Sequence, residues 1–207
     1  MGAKMDKLDL KKELKEYYNP TAKDVTLVHV PEMNFIMIDG QGAPESPQFQ
    51  KAIEALYPIA YTIKFAKKKQ ESIDYPVMAL EGLWWAEDMS DFDPEKGDRN
   101  KWMWTLMIMQ PDIVTAADIE TAREASGKKK PNPALEKVRL QSYAEGKSVQ
   151  IMHVGPFSEE GPNVQRIHQK IQEIGGAPFG KHHEIYLSDF RRVDPVKMRT
   201  VLRQPYR

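Results

Sequence analysis

The sequence contains no cysteine. That excludes disulfides, thiolate nucleophiles and cysteine-based zinc sites together, and suits a cytoplasmic protein. It also lacks net charge, since 30 basic and 30 acidic side chains cancel. A direct nucleic-acid binder ordinarily carries a basic excess to neutralise phosphates, so none is expected as a partner. The runs Lys67-Lys68-Lys69 and Lys128-Lys129-Lys130 are short and read as solvated surface. No apolar stretch approaches the ~20 residues that span a bilayer. The opening Met1-Gly2-Ala3-Lys4-Met5-Asp6 has neither a signal-peptide core nor the hydroxyl residue of a myristoylation site. Gly-x-Ser-x-Gly and His-Glu-x-x-His are both missing, which leaves serine hydrolysis and a helical zinc site without support. His182 and His183 are neighbours, so in a strand they face opposite ways and cannot share one metal. No metal and no cofactor is expected.

The chain has 207 residues, and a chain of that size buries roughly 70% of its unfolded surface without covalent staples. Leu10, Leu14 and Tyr17 mark a first helical segment, closed by Asn19-Pro20. Val25–Val30 and Met33–Ile38 read as two strands, followed by a turn at Asp39-Gly40-Gln41-Gly42. Ser46-Pro47 caps a helix whose apolar stripe is Phe49, Ile53, Leu56, Ala60 and Ile63. Pro58 interrupts its hydrogen bonding and is expected to kink it, turning Tyr57 and Tyr61 towards something they contact. Val77–Glu87 and Lys101–Gln110 read as strands around the acidic stretch Asp88–Asn100. Thr115 and Asp118 cap a helix to about Ala125, stopped by Gly127. A hairpin is expected from Val138–Tyr143 and Ser148–Val154, turning at Glu145-Gly146. Val164, Ile167, Ile171 and Ile174 mark another helix. A strand over Lys181–Ser188 precedes a basic tail expected to be helical.

This order repeats itself, and the echo of His29-Val30-Pro31 in His153-Val154-Gly155-Pro156 supports a duplication. The fold expected is α+β: two strand-helix-strand-strand modules forming antiparallel sheet, with the long helices on one face and a ligand groove on the other. One domain over 1–207 is expected, with pseudo-repeats about 21–110 and 134–190 and a helical connector over 112–133.

Strand alternation places Glu184 and Tyr186 on one face, a carboxylate beside a phenol. Trp84 and Trp85 point to opposite faces. Trp102 and Trp104 share a face, and Met103, Met107 and Met109 occupy the other. Two readings of this apolar surface stand. Either the rings fill the core, or one face of the sheet packs on the helices and the other lines a pocket.

The segments His153-Val154-Gly155-Pro156-Phe157-Ser158-Glu159-Glu160-Gly161-Pro162 and His182-His183-Glu184-Ile185-Tyr186-Leu187-Ser188-Asp189 resemble the signature of the GyrI-like small-molecule-binding family. Met33-Asn34-Phe35 with Ile38-Asp39-Gly40, and the ending Leu202-Arg203-Gln204-Pro205, extend the resemblance over about 10–205. It is with the stand-alone branch, and related domains serve AraC-type and multidrug-responsive regulators as drug sensors. The chain shows no helix-turn-helix before residue 20, so a transcriptional role requires a separate partner.

The resemblance implies a groove with Glu184 in its floor and hydrophobic aromatic ligands, cationic ones included. Some stand-alone members hydrolyse cyclopropane-bearing, DNA-alkylating antibiotics. By that resemblance Glu184 is the general base and Tyr186 its hydrogen-bonding partner. Trp84, Trp85 and Trp104 are candidate walls, joined by Tyr57, Tyr61 and Tyr143. The alternatives are a drug-sequestering or sensor protein without turnover and, ranked lower, a gyrase-inhibiting factor acting on a protein partner.

Overall fold

A computed structural model describes residues 5–88, 91 and 97–207. Residues 1–4 and part of the acidic stretch Asp88–Asn100 lie outside the described residues. In chain order the elements are β1 (Asp6–Lys7), α1 (Leu10–Glu13), α2 (Lys15–Tyr18), β2 (Thr26–Gln41), α3 (Pro47–Gln70), β3 (Ile73–Asp74), β4 (Leu80–Trp85) and β5 (Met103–Gln110). Then come α4 (Ala116–Lys129), β6 (Arg139–Val154), α5 (Gly161–Glu173), β7 (His182–Tyr186) and β8 (Arg199–Pro205). The fold is α+β, and its long elements run strand-helix-strand-strand twice: β2-α3-β4-β5, then β6-α5-β7-β8 after α4. Among the described residues no helix is long and apolar enough to cross a membrane.

The chain divides into two compact units. The first gathers the described residues of 5–13, 33–78 and 85–143. In it β2 pairs antiparallel with β5, from Asn34 opposite Gln110 to Gln41 opposite Met103. Helix α3 forms where the stripe predicts: Phe49, Ile53, Leu56, Ala60 and Ile63 are all buried. Its first turn is closed by Ser46, whose hydroxyl accepts from the Phe49 amide at 3.3 Å, satisfying an otherwise orphaned donor. The helix runs on through Pro58, whose side chain is exposed. Helix α4 begins with the expected reciprocal cap between Thr115 and Asp118. Lys67 of α3 reaches the Asp118 carboxylate at 3.0 Å.

The second unit comprises Leu14–Glu32, Ala79–Trp84 and Ala144–Arg207. Its strands lie in the order β4-β7-β8-β6, all antiparallel. Helix α5 packs on this sheet through Ile167 and Ile171, which meet Val149, Ile151 and Leu202 in a cluster edged by Val25, Val164 and Tyr206. Burying each large aliphatic side chain is worth about 1.5–3 kcal/mol.

Five expectations are corrected. The two strands before Gly40 are one, the extended backbone running on through Pro31, whose fixed φ is compatible with a strand. The hairpin around Glu145-Gly146 is instead the single long strand β6, in which Gly146 adopts φ +75° without reversing the chain. Gly127 does not stop α4, which continues to Lys129. The basic tail is strand β8, since Thr200, Val201 and Leu202 are buried β-formers and Arg203 is buried with them. The first helical segment is split into α1 and α2.

Candidate functional site

Direct partners across an antiparallel ladder project to the same face. Glu184 lies opposite Leu202 and Tyr186 opposite Thr200; on the other side Gly82 faces Glu184 and Trp84 faces His182. Leu202 packs against α5, so Glu184, Tyr186, Trp84, His182 and Thr200 share the face that α5 partly covers. The Glu184 side chain is 17% exposed.

These side chains form a directed chain of hydrogen bonds. The Trp84 indole nitrogen donates to the Tyr186 hydroxyl at 2.9 Å, and that hydroxyl donates to Glu184 Oε2 at 2.8 Å. The other Glu184 oxygen faces His182 Nε2 at 3.4 Å. Burial, then the neighbouring Glu184 charge, holds the Tyr186 phenol well above its ordinary pKa, so Tyr186 is a neutral donor near pH 7. Gly82 leaves the necessary room: a methyl group there would lie 2.8 Å from both the Trp84 nitrogen and the Tyr186 oxygen.

The segment before α5 supplies the apolar edge. His153 Nε2 sits 3.1 Å from the Pro156 carbonyl and its Nδ1 3.1 Å from the Asn163 amide, tying down the bend at Gly155, where φ is +143°. The bend delivers Phe157, whose ring meets Tyr186 edge-on at 5.8 Å and Phe190 at 6.5 Å. Phe157 and Phe190 are 40% and 41% exposed, large apolar surface beside a carboxylate. On α5, burial and then the charge of His182 lower the His168 pKa. Neither phenylalanine was singled out by sequence reasoning. The signal was their position within or just beyond the two signature segments.

On the opposite face of the same strands lies a buried network. Glu81 accepts from the Tyr18 hydroxyl at 2.5 Å and meets His183 Nε2 at 2.9 Å. His183 Nδ1 stands 3.0 Å from Glu145, which also binds Arg203 at 2.9 Å. Arg203 donates further to Gln150 and to the Tyr17 carbonyl. Both imidazole nitrogens face carboxylates, so His183 is an imidazolium. Burial alone would lower its pKa, but Glu145 and Glu81 outweigh burial and raise it to about 9. Burial likewise opposes ionisation of Glu145, yet His183 and Arg203 bring it down to about 2.

The remaining candidates from the sequence belong to the first unit. Trp104 is wholly buried. Its ring lies over Gly40, where a methyl group would come within 2.2 Å of it, and meets Phe49 edge-on at 5.2 Å. Tyr57 is half-buried and Tyr61 47% exposed; they stack at 6.4 Å, and Tyr61 stacks on Phe65 at 6.2 Å. Trp85 and Tyr143 are half-buried.

The chain belongs to the GyrI-like family: the model of the GyrI-like small molecule binding domain matches residues 23–205. Among solved structures it is similar to an uncharacterized conserved protein from Listeria innocua, with 46% identity, a TM-score of 0.88, and 97% of this chain and 100% of that one covered. A protein described as a hydrolase from Listeria innocua is 44% identical, with a TM-score of 0.87 and coverage of 98% and 100%. The C-terminal domain of EcmrR shares the fold at 12% identity, with a TM-score of 0.54 over 89% of this chain and 97% of that one. None of the curated proteins compared matches the chain.

Proposed function

We propose that this protein binds flat, largely apolar small molecules over Glu184 and hydrolyses those that carry a strained, electrophilic cyclopropane, removing DNA-alkylating compounds. The observation that carries this reading is the relay from Trp84 through Tyr186 to Glu184. It fixes one carboxylate oxygen and leaves the carboxylate a base with a defined direction. The description of a 44%-identical relative as a hydrolase supports it.

In the reaction, water gives a proton to Glu184 while its oxygen bonds to the ring carbon. The strained carbon–carbon bond breaks, and its electron pair moves into the conjugated acceptor, whose oxygen takes up a proton. Ring strain supplies driving force, so a placed base and a held substrate suffice. Phe157 and Phe190 offer the substrate apolar surface, and the charge of Glu184 also suits cationic aromatic ligands.

The test is to give purified protein a large excess of a cyclopropane-bearing alkylator and count water adducts by mass. Many adducts per protein molecule are expected. One unaltered ligand held per protein molecule would leave a sequestering protein, the reading favoured by the family's small-molecule-binding character alone.

A further inference from the structure

A second carboxyl stands beside Glu184. Glu160 ends the turn that carries Phe157 and begins α5. The residue is only 8% exposed, and its Oε1 is sealed from solvent with no hydrogen-bond partner. Thr200 neighbours its carboxyl group, and Thr200 lies directly opposite Tyr186 on the Glu184 face. Phe157, three residues earlier, touches Tyr186, and the Glu160 carboxyl acts electrostatically on both Tyr186 and Glu184. Glu160 is thus brought from the helix side towards the place where Glu184 and Tyr186 meet. A buried carboxyl with a bare oxygen beside another carboxylate is tolerable when neutral and costly when ionised. Burial first, and then the charge of Glu184, accordingly keep Glu160 well above the ordinary carboxyl range, against a smaller opposing effect of Thr200. Two such neighbours hold one proton between them at neutral pH.

We propose that Glu160 is the proton donor to the substrate, working with Glu184 as a pair of one neutral and one ionised carboxyl. The proposal rests on the hydrolase reading above. Glu184 takes the proton released by water. Glu160 gives its own to the acceptor oxygen as the strained bond breaks. Transfer of the proton from Glu184 to Glu160 then restores both groups, and the net change is addition of one water.

Two measurements test it. The infrared spectrum of the free protein at neutral pH should show a protonated carboxyl band that Glu160→Gln removes. With a cyclopropane-bearing alkylator, Glu160→Gln should lower kcat by about 100-fold or more while leaving KM and dye binding near wild type. Glu160→Asp should recover part of the rate. The wild-type rate should fall at alkaline pH as Glu160 loses its proton, and this limb should vanish in Glu160→Gln. A Glu160→Gln protein with wild-type kcat and an intact alkaline limb overturns the donor role, as does absence of the infrared band. No water adduct from the wild type would remove the hydrolase reading and the donor role together, and the band would still decide whether the carboxyl pair exists.

Discussion

Gly82 lies directly opposite Glu184 across the β4–β7 ladder, and its missing side chain is what allows Trp84 and Tyr186 to meet above it. A methyl group there would stand 2.8 Å from each of the two hydrogen-bonding atoms, inside van der Waals contact. The glycine thereby sets the geometry of a carboxylate it does not touch.

Gly82→Ala should therefore break the relay without altering any group that does chemistry. Overpacking of this kind costs about 1–3 kcal/mol, visible as a lower Tm. The rate of water addition should fall by more than the stability loss explains, because the base loses its fixed direction. Wild-type turnover in a folded Gly82→Ala protein would show that the Trp84–Tyr186 contact is dispensable.

Tyr186→Phe removes both hydrogen bonds at once. It takes the Tyr186 acceptor away from the buried Trp84 indole N–H, at a cost of about 1–3 kcal/mol. Turnover should drop at least 10-fold, and Trp84 emission should shift as the indole loses its acceptor. Trp84→Phe should drop the rate less, since Tyr186 keeps its bond to Glu184.

Stability should depend on pH through the buried network on the other face. His183 titrates near 9 when folded but near 6.5 when unfolded. Its stabilising contribution is full below about 6.5 and is lost as pH rises towards 9. Glu145 titrates near 2 when folded, against an ordinary value of 4.5. Its contribution is present above 4.5 and disappears as pH falls towards 2. Denaturant melts should show a plateau from about pH 5 to 6.5 and a decline on both sides. His183→Gln strips the charge between Glu81 and Glu145 and should cost about 3–5 kcal/mol. The same melt on that variant should lose the alkaline decline.

Phe157→Ala should weaken binding of planar aromatic dyes, read by tryptophan quenching, while Phe65→Ala should leave the Glu184 chemistry unchanged. Equal loss from both would place ligand contacts elsewhere than beside Tyr186.

Much of this was legible in the sequence because it depends on local periodicity. The α3 stripe, the Ser46 and Thr115 caps, and the common face of Glu184 and Tyr186 each follow from residue spacing and came out as expected. What escaped was set by distant partners. The C-terminal segment was expected to be a basic helix, yet Arg203 is buried because Glu145, Gln150 and the Tyr17 carbonyl, all remote in sequence, receive it. The Glu145-Gly146 turn signal failed for the same reason, since Glu145 is held within β6 by His183 and Arg203. Glu160 stood inside a signature segment without being singled out. Only the β7–β8 register, which sets Thr200 opposite Tyr186, shows what it approaches. His183 was weighed as a metal ligand, whereas two carboxylates hold it as a cation. That network also pins β7 in register, because a one-residue slip would exchange His183 and Glu184 between faces.

The most direct test of the central claim is the conversion rate of a cyclopropane-bearing alkylator by Glu184→Gln, measured beside its affinity for the same compound. The amide keeps the shape of the carboxylate and the bond from Tyr186 but cannot take a proton from water. The account predicts binding within a few-fold of wild type and water addition slowed by about 100-fold or more. Water addition at the wild-type rate would contradict it.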